Sequence, residues 1–366
     1  MKNTFGNSIA ISLFGESHGE MIGATIDGIS PGIKIDEEYI NQCLNLRKPF
    51  GKISTQRKEA DEYKIISGAF NGYTTGTPLT MIIPNTNVKS TDYSALRNTP
   101  RPGHADYTAE QKYHGYQDAR GGGHFSGRIT AALVGVGAII RKALIDKGIY
   151  ISTHISNLHG IADREIDSQS DILTLQDKLF PVLDENAERL MIKEIEAAAE
   201  IGDSVGGTLE TLVTGIPAGV GEPFFDSAES MLAHALFSVP GIKGVEFGAG
   251  FAVANMLGSE ANDSFAMENG KVVTKTNNNG GINGGITNGM PIIFNCAVKP
   301  TPSIAREQDS INFVSGVNEK IEIKGRHDPA IIRRACVVVD SVCALTVCDL
   351  LAQRYGTDIF LKGFEK

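Results

Sequence analysis

Apolar and polar positions alternate along residues 5–14 and again over "MIGATIDGI" (21–29). Alternation with a period of two is the signature of a half-buried strand, so the two segments predict an antiparallel pair. Asp36 precedes "EEYINQCLNLRK" and can cap a short helix, with Glu37 and Glu38 favourable in its first turn. Residues 50–63 are polar and mixed in charge with no apolar period, which leaves a solvated linker or a long functional loop. "YKIISGAF" (63–70), "GTPLTMIIP" (76–84) and "KSTDYSAL" (89–96) read as short strands and turns.

The period then lengthens. Residues 126–147, "SGRITAALVGVGAIIRKALIDK", place apolar side chains on nearly every face, which predicts a buried central helix. "IYISTHISNLHGI" (149–161) is a strand, and 183–203 is an amphipathic helix stopped by Gly202. "GTLETLVTGIP" (207–217) is a strand; residues 225–251 give a helix, a Pro-Gly turn and a strand. A last helix, about 331–354, is again apolar almost all round. Strands outside buried helices, without regular βαβ alternation, predict an α+β fold. No repeat or composition break divides residues 1–366, so a single domain is expected.

Composition narrows the function classes. A net charge of −9 argues against a nucleic-acid protein, which presents a basic face, but leaves room for a basic pocket. The five cysteines, Cys43, Cys296, Cys336, Cys343 and Cys348, show no CxxC spacing and read as buried free thiols rather than metal ligands. The N-terminus has no secretory h-region and no stretch reaches the length of a membrane span, so a cytoplasmic protein without membrane association is expected.

Five polar, Gly-rich segments interrupt the apolar plan. "FGESHGEMIG" (14–23) sets Glu16, Ser17 and His18 between glycines, as a catalytic loop or only a polar turn. "RPGHADYT" (101–108) presents Arg101, suited to carboxylate or phosphate, beside His104 and Asp106. A capped turn with an exposed histidine is the plainer alternative. "ARGGGHFSGRIT" (119–130) puts three glycines before a helix start, with Ser126 as cap and Arg128 in the first turn. Such an end can bind an anion, or it can be a bend that packing requires; it matches neither GxGxxG nor a P-loop. "NNNGGINGGITNGMPI" (277–292), followed by "AVKPTPSI" (297–304), offers open backbone groups to a flat heterocycle, with a flexible linker as competitor. "KGRHDP" (324–329) places Arg326, His327 and Asp328 before the last helix, where Asp328 can also be a simple cap. Jointly the segments point to a small, multiply anionic substrate and acid/base chemistry without a thiol nucleophile or a metal.

The ordered set "GESHG", "RPGHADYT", "RGGG…S.R.T", "GDSVGG", "KGVEFGAGF", "NNNGGINGG", "KPTPS" and "GRHDP" closely resembles the chorismate synthase family, from about Phe5 to the C-terminal helix. The resemblance implies a lyase of the shikimate pathway with a β-α-β sandwich fold, its helices buried between antiparallel sheets. It would convert 5-enolpyruvylshikimate 3-phosphate to chorismate and phosphate by a 1,4-anti elimination, dependent on reduced FMN (FMNH2), in a homotetramer. It implies His18 as a general acid near the departing phosphate, His104 as the proton donor to the reduced flavin near N1, and Asp328 as an aid to proton movement at N5. Arg47, Arg101, Arg128 and Arg326 would hold the substrate's phosphate and carboxylates. FMN would contact His124, Phe125 and Ser126, the turn at Pro240 and Gly241, and Gly284. It would also contact the loop of Lys299, Pro300, Thr301, Pro302 and Ser303, and Arg326. Arg47 and Lys52 would be the NADP-binding positions if the chain reduces its own flavin with NADPH.

Three departures from the family pattern stand out. After the three glycines the family has Arg-Ser-Ser-Ala-Arg-Glu-Thr, whereas this chain has His124-Phe125-Ser126-Gly127-Arg128-Ile129-Thr130. The basic loop is one residue short and carries Lys52 for an arginine, which keeps the charge but not the bidentate fork. "SVPGIKGVE" has Pro-Gly where Asn-Ala is common. The rival expectations are a flavin or nucleotide reductase and a non-catalytic flavin- or phosphate-binding protein.

Overall fold

A computed structural model describes residues 2–51, 53–54, 60–86, 98–323 and 328–364. Lys52, Arg326 and the segment 89–96 lie outside the described residues. Two five-stranded antiparallel sheets form the outer layers. The first has the spatial order Thr4–Phe5, Ala10–Gly15, Met21–Asp27, Leu79–Pro84, Lys64–Ser67. The second runs Ile242–Phe247, Ile292–Val298, Gly207–Thr214, Tyr150–Leu158, Ile161–Ala162. Between them lie the helices Glu37–Arg47, Thr130–Ile145 and Ile332–Tyr355. The Thr130–Ile145 helix packs on the first sheet and on Ile332–Tyr355, which in turn packs on the second sheet. The expected α+β arrangement, helices between antiparallel sheets, is the one observed.

Burial explains why both long helices are apolar all round. In Thr130–Ile145, 14 of 16 residues are buried, because neighbours surround it on every side. Gly135 and Gly137 allow this closeness. A Cβ at Gly135 would lie 2.3 Å from Met81 Sδ, and one at Gly137 2.5 Å from Ser341 Cβ. The sheet and the partner helix therefore approach as only glycine permits. Ile332–Tyr355 is 24 residues long and apolar enough to cross a membrane, against the sequence expectation, yet it is buried in the core. Its apolarity serves packing on all sides.

One pair of charges crosses these layers. Arg141 meets Asp340 at 3.1 Å, and Asp340 accepts from Thr153 Oγ1 at 2.6 Å, so two helices and the second sheet share one buried network. Desolvation raises the Asp340 carboxyl above its ordinary value and Arg141 opposes that rise. Removing one partner of such a pair leaves an uncompensated charge. The five cysteines are free and buried, as expected. Burial pushes their thiols up, that of Cys296 to about 12.

Several boundaries differ from the sequence reading. The expected strand 5–14 is broken into Thr4–Phe5 and Ala10–Gly15, paired antiparallel with Phe5 opposite Ile11. Gly6 turns the chain at φ +102°, and Asp349 of the last helix accepts from the backbone N–H groups of Asn7, Ser8 and Ile9 at 2.7–3.0 Å. A buried carboxylate distant in sequence thus holds a turn that local alternation conceals. The central helix begins at Thr130 rather than 126, after tight turns at Gly123–Phe125 and Gly127–Ile129. Asp36 and Asp184 cap their helices, accepting from Tyr39 and Ala187 backbone N–H groups.

Candidate active site

Four connections converge where the central helix begins. The hairpin loop between Ala10–Gly15 and Met21–Asp27 carries Ser17 and His18. The turn before the Asp106–Tyr113 helix carries Arg101 and His104. The glycine run Gly121, Gly122 and Gly123 leads to the central helix, and the residues after Ile292–Val298 bring Lys299, Thr301 and Ser303. The last three border a cavity of about 930 Å³ whose wall also includes Arg47, Arg128, Asp328 and Arg334, whereas Ser17 and His18 are not on that wall. Its other side is apolar, with Phe5, Leu13, Leu133 and Val342.

Glycine is required in the run because imidazoles lie against it. A Cβ on Gly121 would lie 2.0 Å from His18 Cε1, and one on Gly122 would lie 3.3 Å from His104 Cε1. Two histidines far apart in sequence therefore rest on consecutive residues of one loop. His18 is buried behind Gly121, and its Nδ1 lies 3.1 Å from Ser17 Oγ, which donates to the Arg120 carbonyl at 3.3 Å. Asn85 fixes the loop by donating to the carbonyls of Glu16 and Gly19, both at 2.9 Å, and its Oδ1 accepts from Arg128 Nε at 3.1 Å.

His104 is oriented by a carboxylate. Its Nδ1 lies 2.6 Å from Asp106 Oδ1, and Arg101 grips the same carboxylate through Nε and Nη2, both at 2.7 Å. Burial works to raise the Asp106 carboxyl, but hydrogen bonds from Arg101 and His104 outweigh it and hold the group well below the usual carboxylate range. A carboxylate can only accept, so the shared proton sits on His104 Nδ1 and Nε2 is left to act. Arg101, expected to clasp substrate, is thus engaged mainly with Asp106; its Nη1 lies 3.5 Å from Ser303 Oγ.

The other described arginines are also turned to protein groups. Arg47 is 2% exposed and donates to Thr130 Oγ1 at 3.0 Å and to the Gly127 carbonyl at 3.2 Å. Its Nη1 meets Asp61 at 3.3 Å, and Arg128 Nη1 contacts the other oxygen of the same carboxylate. Asp61 belongs to the segment that read as linker or functional loop, and it is buried. Asp328 does not cap the last helix, whose first turn follows Ile331 without a side-chain cap. Instead it pairs with Arg334 at 2.7 Å, while Arg334 Nε donates to the Arg47 carbonyl at 2.7 Å. Lys299 donates to the Gly103 carbonyl and ties the second-sheet side to the His104 turn; burial, aided by Lys243, pushes its ammonium pKa down.

Of the expected flavin contacts, His124, Phe125, Ser126, Pro240, Gly241, Lys299, Thr301, Pro302 and Ser303 line the cavity. His124, at the position where the family has arginine, has its Nδ1 2.8 Å from the Gly15 carbonyl and so anchors the first sheet's hairpin. Pro300 and Gly284 are not on the cavity wall. Gly284 sits in the hairpin of Ile282–Asn283 and Ile286–Thr287, and much of the Asn/Gly run satisfies itself. Asn277 accepts from Gly281 N at 2.7 Å, and Asp263 accepts from Asn278 N and Asn279 N at 2.7 and 2.8 Å. These amides are spent on the loop, not left open for a heterocycle. Asp61, Asn85 and Arg334 were not singled out by sequence: each meets partners far along the chain, with no spacing to mark it. Asp106, two residues from His104, was visible within its motif. Among the described residues no cluster of His, Cys, Asp and Glu could hold a metal.

Residues 9–352 match the family model described as chorismate synthase. A chorismate synthase of Lachnoclostridium phytofermentans is 47% identical over 351 residues, covering 95% of both chains. One from Chitinophaga pinensis is 46% identical over 354 residues, covering 96% of this chain and 98% of the relative. One from Thermococcus kodakarensis is 44% identical over 349 residues, covering 95% and 97%. A chorismate synthase crystal structure superposes with a TM-score of 0.75 at 27% identity, covering 96% of this chain and 94% of that one. Motif order, layered fold and near-complete alignment agree, and the chain belongs to the chorismate synthase family.

Proposed function

We propose that the chain converts 5-enolpyruvylshikimate 3-phosphate to chorismate and phosphate by a 1,4-anti elimination, with reduced FMN bound beside the substrate. The observation that carries this reading is a cavity lined by His104, Arg47, Arg101, Arg128 and Lys299, with the His18 imidazole packed against Gly121 of its wall. A substrate with one phosphate and two carboxylates calls for such an excess of cationic donors.

The cavity also suits a flavin. It has polar and apolar lining residues, and Thr301 Oγ1 is buried there without a hydrogen-bond partner among the described residues. The 124–126 turn, the turn at Pro240 and Gly241 and the 299–303 loop would hold the cofactor. The chemistry that reduced FMN would supply there is a transient source of electron density for phosphate departure. His18, braced by Ser17, delivers a proton at the departing phosphate. His104, its Nδ1 held by Asp106 Oδ1 at 2.6 Å, would pass a proton from Nε2 to the reduced flavin. Asp328 is the carboxylate among the described cavity-lining residues, and it helps to remove the proton lost from substrate C6. Arg334 positions it. NADPH would supply the reducing equivalents in a chain that reduces its own flavin. A cytoplasmic homotetramer completes the proposal.

The test is an anaerobic assay with chemically reduced FMN and 5-enolpyruvylshikimate 3-phosphate, followed by chorismate absorbance. Steady chorismate formation is expected. Folded, flavin-binding protein that forms none would overturn the reading.

A further inference from the structure

Arg47 and Arg128 reach the cavity from different elements, the end of the Glu37–Arg47 helix and the turn before the central helix. Two guanidiniums at one place repel each other, and the anion that reconciles them is internal. Asp61, its side chain 0% exposed, offers Oδ2 to Arg47 Nη1 at 3.3 Å and Oδ1 to Arg128 Nη1. One carboxylate oxygen on each guanidinium is also how a ligand carboxylate or phosphate would bridge the pair. Asp61 adopts a left-handed backbone at φ +51° to place its side chain there, a conformation unusual for a residue other than glycine. Arg128 also donates to Asn85 Oδ1 and the Pro84 carbonyl, and Arg47 to Thr130 Oγ1 and the Gly127 and Arg128 carbonyls. Both side chains are therefore held by protein groups, and Asp61 is the carboxylate they share among the described residues.

We infer that Asp61 is an affinity-determining residue of the anion site: its carboxylate occupies the place between Arg47 and Arg128 that a ligand phosphate or carboxylate needs, and anion binding displaces it. This rests on the proposed reading of the two arginines as anion-binding groups. A dianionic phosphate pairs more strongly with two guanidiniums than a single carboxylate does, so the exchange runs forward when phosphate is supplied. The internal anion keeps two buried like charges from destabilising the empty pair, and it weakens the hold on any incoming anion.

Two measurements test this with inorganic phosphate as the probe. Asp61→Asn keeps the shape and removes the charge, and calorimetric titration at fixed ionic strength should show it binding phosphate about tenfold more tightly than the wild-type chain. Equal or weaker binding by a folded variant overturns the inference. The second measurement uses the wild-type chain alone and so does not depend on how the variant folds. Saturating phosphate should speed hydrogen exchange over residues 60–64 as Asp61 swings out, with the Leu79–Pro84 strand unchanged. Slower or unaltered exchange over 60–64 overturns it. A wild-type chain that binds no phosphate removes the anion role of the arginines as well, whereas chorismate formation without either phosphate effect removes only this inference.

Discussion

Asp106 accepts from Arg101 and from His104, and having no proton of its own it fixes the one on His104 Nδ1. An amide at this position could instead donate to Nδ1 and select the other tautomer. Asp106→Asn should therefore lower kcat by about tenfold or more with KM changed by less than about twofold and the unfolding midpoint intact. His18→Ala and His104→Ala should each fold normally and lose about 10²–10⁴-fold in turnover, the usual contribution of a positioned acid. Steady-state kinetics with thermal melts checks all three; a loss below about threefold in both histidine variants would remove their roles. At this scale the sequence was informative about which groups are present and silent about what they face. His18, His104 and Asp328 stood out by type and motif. That Arg101 grips Asp106, or that Asp328 pairs with Arg334, depends on side-chain directions that spacing does not encode.

Among the elements, the second sheet carries a titrating cluster away from the cavity. His154, buried in the Tyr150–Leu158 strand, has Nδ1 2.8 Å from Asp163 and Nε2 3.3 Å from Glu210 of the neighbouring strand. Burial disfavours its charge, but hydrogen bonds to Asp163 and Glu210 outweigh that and raise its pKa above the ordinary 6.5. A raised folded-state value means the charged form is favoured by folding. The stabilisation is full below about pH 6.5 and is lost as pH rises through the folded value. The gap in unfolding midpoint between wild type and His154→Gln should be wide at about pH 5.5 and narrow at about pH 8.5. A gap that is constant or widens with pH would contradict this. Strong periodicity made the long elements readable: the last helix, expected at about 331–354, is Ile332–Tyr355. The reading failed where a distant side chain decides, as when Asp349 turns residues 7–9 and splits the first expected strand.

For the whole molecule, one apolar cluster extends from Ile9 to Ile359 through both sheets and the helices between them. We propose that this core melts as one unit in a homotetramer. Phe224, Phe225, Phe251, Leu257, Phe265 and Met267 are each more than two-thirds exposed on the chain, an apolar surface suited to contacts between copies. Light scattering should give four times the 39.1 kDa chain mass, with a single calorimetric transition. A monomer, or two separated transitions, would contradict the proposal. The buried helices were visible in the sequence because both are apolar all round, whereas their place between two antiparallel sheets followed from the family resemblance. The order of strands in each sheet was not, since strand pairing joins segments distant along the chain.

The central claim concerns chemistry at one cavity, and stoichiometry tests it most directly. Chorismate and inorganic phosphate are measured together under strict exclusion of oxygen, with reduced and with oxidised FMN in parallel. The account predicts equal amounts of both products with reduced FMN and neither with oxidised FMN. Phosphate release without chorismate, or turnover indifferent to the flavin's redox state, would contradict it.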